Sequence, residues 1–206
     1  MISADGFIVT NYHLVSGAVE FHNATQLGYF GNQKLPIKNI EIEVLDKIVN
    51  DEFIYRKAEE IFLVGSFSKT DSYGNKKDLA VLKINEKGLS HLAVVKENPN
   101  KFEKIYSVGF SMRTARREDR KKMLGYEDAN YDLRISTGLI TSVEVNSFLA
   151  DTDGAPGNSG SAAINEHGEL VGIYCGSTGN GIMDPSKSYR RYVKPEYINQ
   201  LLNSGR

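Results

Sequence analysis

The chain has 206 residues, 40% hydrophobic and 25% charged, which suits one large domain or two small ones around real cores and argues against disorder. Its 25 basic and 26 acidic side chains leave a formal charge of −1, with no bulk attraction toward nucleic acid or a membrane surface. No apolar run reaches the roughly 18 residues that a bilayer span needs, and the single cysteine, Cys175, rules out an internal disulfide and argues against a cysteine-built metal cluster.

The opening MISADGFIVTNYHLV has no basic n-region and no apolar h-region, so no secretory leader is visible. GFIVT (6–10) reads as the first strand. Residues 46–60, DKIVNDEFIYRKAEE, resist the strand pattern and read as an inserted loop or a helical turn. EIFLVGSF (60–67) and DLAVLKI (78–84) return to it. ENPNKFEK (97–104) is a weak stretch suited to a crossing between two halves. KIYSVGF (104–110) follows as a strand. Residues 111–132 then carry Arg113, Arg116, Arg117, Arg120, Lys121 and Lys122 ahead of Glu127, Asp128 and Asp132. That charge pattern reads as a solvated insertion, with a partner-selecting rim loop as the alternative. RISTGLITSVEV (134–145), SAAIN (161–165) and ELVGIYCG (169–176) are further strands, and NEHG (165–168) joins the last two as a hairpin turn. KPEYINQLLN (194–203) is the one clear helix, with Pro195 in its first turn and Tyr197, Ile198, Leu201 and Leu202 at helical spacing. Many short strands and few helices point to an all-β barrel or sandwich.

One stretch raises a chemical question. DTDGAPGNSGSAAIN (151–165) surrounds Ser159 with Gly154, Gly157 and Gly160 and then runs into an apolar strand. Acyl transfer by serine needs a base, a group that orients the base, and donors for the oxyanion. His13, at the end of GFIVT, is the candidate base. Asp78, at the head of DLAVLKI, is the candidate orienter because the strand behind it can fix its carboxylate; Asp71 in KTDSYGN is its rival. A turn at Gly157-Asn158-Ser159 can aim the N–H groups of Gly157 and Ser159 at one point, using backbone angles that glycine permits.

TNYHLV, DLAVLKI and GNSGSA, in that order, resemble the three catalytic blocks of trypsin-like serine peptidases of the chymotrypsin fold. The wording is nearest to the HtrA-like and glutamyl endopeptidase branches of bacteria. The resemblance covers residues 3–20, 76–84 and 104–176 and leaves 21–75 mostly unexplained. It implies two antiparallel β-barrels, roughly 1–98 with His13 and Asp78, and 99–206 with Ser159 and the terminal helix. It implies a catalytic triad of His13, Asp78 and Ser159, an oxyanion hole from the N–H groups of Gly157 and Ser159, a polypeptide substrate, and no cofactor or metal. The rival function is an inactive relative that binds peptides or a partner. Sixty-five residues separate His13 from Asp78, which implies an insertion in the first barrel, and the early position of His13 reads as a variant barrel, a misplaced start or a barrel truncated at its N-terminus. In the last case the resemblance favours a periplasmic or secreted protein.

The same likeness places Asp153, six residues before Ser159, at the floor of the primary pocket, where a carboxylate would favour Lys or Arg before the scissile bond; as a loop residue it would instead face solvent. Tyr174 and Cys175 would form a pocket wall. Glutamyl endopeptidases carry a histidine there, so Tyr174 argues against acidic specificity. Cys175 reads as a small wall residue rather than a second nucleophile. His22, His91 and His167 have no usable spacing.

Overall fold

Apolar runs bounded by turn residues pair as antiparallel strands throughout the chain. The computed structural model describes residues 3–15, 34–35, 43–49, 52–57, 60–64, 78–84, 87–111, 132–154, 157–178 and 188–204. They belong to two units, Met1–Lys96 together with Glu196–Arg206, and Glu97–Pro195.

In the first unit β1 (Phe7–Thr10) leads into a one-turn helix α1 (Tyr12–Val15), followed by β2 (Lys34–Leu35), β3 (Glu43–Val49), β4 (Glu52–Lys57), β5 (Glu60–Val64) and β6 (Leu79–Lys83). Among the described residues, four of these form a sheet in the order β1-β6-β5-β2. β6 lies between two neighbours, with Val81 opposite Val9 on one side and Phe62 on the other. Four consecutive residues, Leu79 to Leu82, are buried, which explains why DLAVLKI shows an unbroken apolar run rather than a two-residue alternation.

The stretch 46–60 corrects an expectation. Its described residues 46–49 and 52–57 are neither loop nor helical turn but belong to the paired strands β3 and β4, with Val49 opposite Glu52. A bulge between Leu45 and Lys47 shifts the register, and the shift breaks the alternation by which a strand is recognised.

The C-terminal helix α2 (Pro195–Ser204) begins on its proline and buries Tyr197 and Ile198. Asn199 Nδ2 donates to the Val95 carbonyl at 2.8 Å, and most of the helix groups with the first unit rather than with residues 99–194.

The second unit contains β7 (Lys104–Ser111), β8 (Asp132–Val143), β9 (Ser147–Ala150), β10 (Ala162–Ile164), β11 (Leu170–Ser177) and β12 (Arg190–Val193). These close into a barrel, β10-β11-β12-β9-β8-β7, sealed where Ala162 pairs with Val108. The mostly β architecture with its closed six-stranded barrel agrees with the chymotrypsin-like expectation. NEHG makes the expected turn, Asn165 N–H donating to the Glu169 carbonyl at 3.0 Å with Gly168 at φ 76°. Ile105, Ile140, Phe148, Leu170, Ile173, Tyr192 and Val193 of this unit are all buried. Phe148 stacks on Tyr192 with centroids 5.1 Å apart, and Tyr174 meets Tyr192 edge-on at 5.6 Å. The basic stretch at 112–131, Asp71 and His22 lie outside the described residues.

Gly172 on β11 has no room for a side chain: a Cβ there would lie 2.7 Å from the Phe148 ring and 2.9 Å from the Val193 carbonyl oxygen. Gly172→Ala is expected to destabilise the protein by about 1–3 kcal/mol through overpacking, read as a lower midpoint in denaturant unfolding with an unchanged slope. Pairing it with Phe148→Leu should relieve part of that loss, whereas strictly additive losses would show that Phe148 is not the obstacle.

Candidate functional site

In the first unit His13 stands on α1 directly after β1, and Asp78 stands directly before β6. The antiparallel pairing of Thr10 with Ala80 brings these two strand ends together across sixty-five residues of sequence. Asp78 then accepts twice from His13. Its Oδ2 is hydrogen-bonded to the ring Nδ1, and its Oδ1 accepts the main-chain N–H at 3.0 Å. Two contacts from one carboxylate fix both the ring and the backbone that carries it.

The backbone that carries the carboxylate is itself held. Buried Asn11 donates from Nδ2 to the Asp78 carbonyl at 2.8 Å. The Asp78 side chain is 15% exposed and that of His13 is 45% exposed. A sheltered negative charge beside a more open imidazole favours the imidazolium. The Asp78 hydrogen bond raises the His13 pKa above 6.5, partial burial opposes the rise, and the Asp78 charge adds to it. Neighbouring Tyr12 is pushed up to about 12 by burial and by the same carboxylate, so its phenol stays protonated at neutral pH. Sequence reasoning missed Asn11. Its only signal was a polar residue placed between an apolar strand and the histidine.

In the second unit the segment between β9 and β10 carries the other candidates. Gly157 has φ 96° and Gly160 φ 86°, the left-handed region where a side chain is strained. The turn is pinned on the far side of Ser159: Ser161 N–H donates to the Asn158 carbonyl at 2.9 Å, Gly160 N–H to the Tyr174 carbonyl at 3.0 Å, and Tyr174 N–H to the Ser161 carbonyl at 2.9 Å. Among the described residues no hydrogen bond uses the N–H of Gly157 or of Ser159. Ser159 itself is half-buried.

Asp153 is exposed, and its carbonyl accepts from Ser136 Oγ at 3.2 Å. Asp151 has a structural task, its Oδ1 accepting the Leu139 N–H at 2.6 Å. Tyr174 is buried and Cys175 half-buried on β11, the Cys175 thiol donating to the Arg191 carbonyl at 3.5 Å. Sequence reasoning also passed over Arg190 on β12, which is buried with Gly154 against its side chain. The two successive arginines in SYRRYV were the available signal.

A family model described as "Trypsin-like peptidase domain" matches residues 1–173. Among solved structures, the HtrA-type protease AlgW with a decapeptide aligns with 99% of this chain and 49% of its own at 18% identity and a TM-score of 0.60. AlgW with a tripeptide aligns with 99% of this chain and 53% of its own at 20% identity and a TM-score of 0.62. The MamO protease domain from Magnetospirillum magneticum aligns with 97% of this chain and 84% of its own at 17% identity and a TM-score of 0.53. The chain therefore spans about half the length of the AlgW chains it matches, and at these identities the likeness is one of fold.

The His13 pair makes a titration that can be checked directly. Because Asp78 stabilises the protonated ring, His13 holds its proton to higher pH, and its NMR titration midpoint is expected above 6.5. Asp78→Asn removes the charge while burial remains, so the midpoint should fall to or below 6.5. An unmoved midpoint would show that Asp78 does not control the ring.

Proposed function

The chain belongs to the trypsin-like peptidase domain family, and on that premise we propose that it is a serine endopeptidase with His13 as general base, Asp78 as its orienter and Ser159 as nucleophile. The observation that carries the reading is the doubly anchored His13–Asp78 pair, an imidazole held and oriented by a carboxylate. His13 Nε2 takes the Ser159 Oγ proton as Oγ attacks the scissile carbonyl. The oxyanion of the tetrahedral intermediate accepts from the N–H groups of Gly157 and Ser159. The imidazolium, stabilised by Asp78, returns the proton to the leaving amine, and water hydrolyses the acyl-enzyme by the same route in reverse. AlgW has been solved with peptides bound, which supports a polypeptide as the substrate class here.

Primary specificity is the finer question. The expectation that Asp153 selects Lys or Arg has weak support, since an exposed carboxylate is already satisfied by water and gains little from a cationic partner. Asp153→Ser in a peptide-library profile tests it: a lost basic preference would support the role, and an unchanged profile would remove it.

A fluorophosphonate probe should label the wild-type protein and not Ser159→Ala. His13→Ala and Ser159→Ala should each lower kcat by on the order of 10⁴-fold or more, and the double variant should be little worse than either, because the three groups act as a unit. The kcat/KM profile should rise with pH through a midpoint above 6.5, since the raised His13 pKa delays formation of the neutral base. A folded wild-type protein that is neither labelled nor active, yet binds peptides, would establish the inactive binding module instead.

A further inference from the structure

Arg190 on β12 is a charge without a matching partner. The residue is 7% exposed. Nη1 donates to Ser188 Oγ at 2.5 Å, while Nε is buried and has no hydrogen-bond partner. Among the described residues no carboxylate pairs with it. The next residue, Arg191, is different: it is bonded to Glu144 and, at 2.8 Å, to Ser147. A guanidinium stays ionised at every accessible pH and offers five donors, so burial with one neutral acceptor leaves a large desolvation cost uncompensated within the fold.

The residues around Arg190 show where the missing acceptor would come from. A Cβ at Gly154 would lie 2.7 Å from Arg190 Cδ and Nε, so the backbone at 154 runs close against the Arg190 side chain. Gly154 belongs to the segment that continues into the Ser159 turn, and that turn is tied to β11 through Tyr174. The phenols of Tyr174 and Tyr192 border the same place. Burial raises the pKa of both, and the Arg190 charge opposes the rise in each. Neutral phenols cannot neutralise the cation. Asp153, adjacent to Gly154, is exposed and makes no ion pair with Arg190 among the described residues.

We propose that Arg190 is the specificity-determining residue of the substrate site and takes the carboxylate of an Asp or Glu side chain immediately before the scissile bond. The proposal rests on Ser159 being the nucleophile, because the Gly154–Ser159 segment is what links the guanidinium to the reacting bond. A carboxylate fits the open donors in both charge and planar geometry, and the pairing of Arg with carboxylate is strongest where water is excluded. The histidine that glutamyl endopeptidases carry is then unnecessary, since the cation reaches the site from β12 rather than from the position of Tyr174.

The test compares peptides that differ only in Glu against Gln before the scissile bond. In wild type kcat/KM should favour Glu by on the order of 10²-fold, the usual penalty of leaving a buried charge unpaired. Arg190→Ala should reduce that ratio to near one, and Arg190→Glu should shift the preference toward Lys and Arg. Melting curves of the variants establish that they are folded, and the wild-type Glu-to-Gln ratio needs no variant at all. Binding of the same two peptides to Ser159→Ala, followed by fluorescence anisotropy, reads the preference without turnover. If fluorophosphonate labels the protein but the Glu-to-Gln ratio is near one, Arg190 is a structural charge and the proposal is overturned while the peptidase reading stands. If labelling fails, the peptidase reading falls and the proposal with it.

Discussion

Closure of the second-unit barrel is the constraint on which its candidate groups depend. β10 is only three residues long, yet it pairs with β11 on one side and β7 on the other. Closing a sheet leaves no free edge, and every strand end becomes a fixed point. The segment between β9 and β10 is therefore held at both ends. Asp151 anchors its start on Leu139, and the Gly160–Tyr174–Ser161 bonds anchor its end. A turn held this way can keep Gly157 and Gly160 in left-handed backbone and present Ser159 without further support.

The first unit solves a different problem with different means. A histidine on a one-turn helix has little local rigidity. Here the rigidity is borrowed from β6, whose buried run Leu79–Leu82 fixes the position of Asp78. Asp78 passes that order to His13 through ring and backbone together. The contribution to chemistry is electrostatic as well as geometric, because a sheltered carboxylate shifts the proton affinity of the imidazole upward.

Charge burial separates three residues that look similar on paper. Asp153 and Arg190 both lie in the second unit near the Ser159 segment, but Asp153 is solvated and Arg190 is not. Arg191 is paired with Glu144, while its neighbour in sequence has only Ser188. A solvated charge discriminates weakly between ligands, and a desolvated one strongly. Which charge can choose a substrate therefore depends on solvent exposure more than on residue type or distance from the serine along the chain.

The sequence by itself determined the all-β class, most strand positions in the second half, the NEHG turn, the helix at Pro195, and the trypsin-like family, because these rest on local patterns. Apolar runs, turn residues and short motifs act over a few positions and survive whatever the rest of the chain does. The β3–β4 hairpin was hidden by a bulge, since one extra residue shifts the alternation that marks a strand. Only the tertiary structure gave the His13–Asp78 pair, implied by motif order, its two hydrogen bonds, tied Asn11 to the Asp78 carbonyl, grouped α2 with the first unit and showed Arg190 to be buried with no carboxylate partner among the described residues. Each of these follows from strand register or from solvent exclusion. Both are set by contacts between residues far apart in sequence, so no local pattern encodes them.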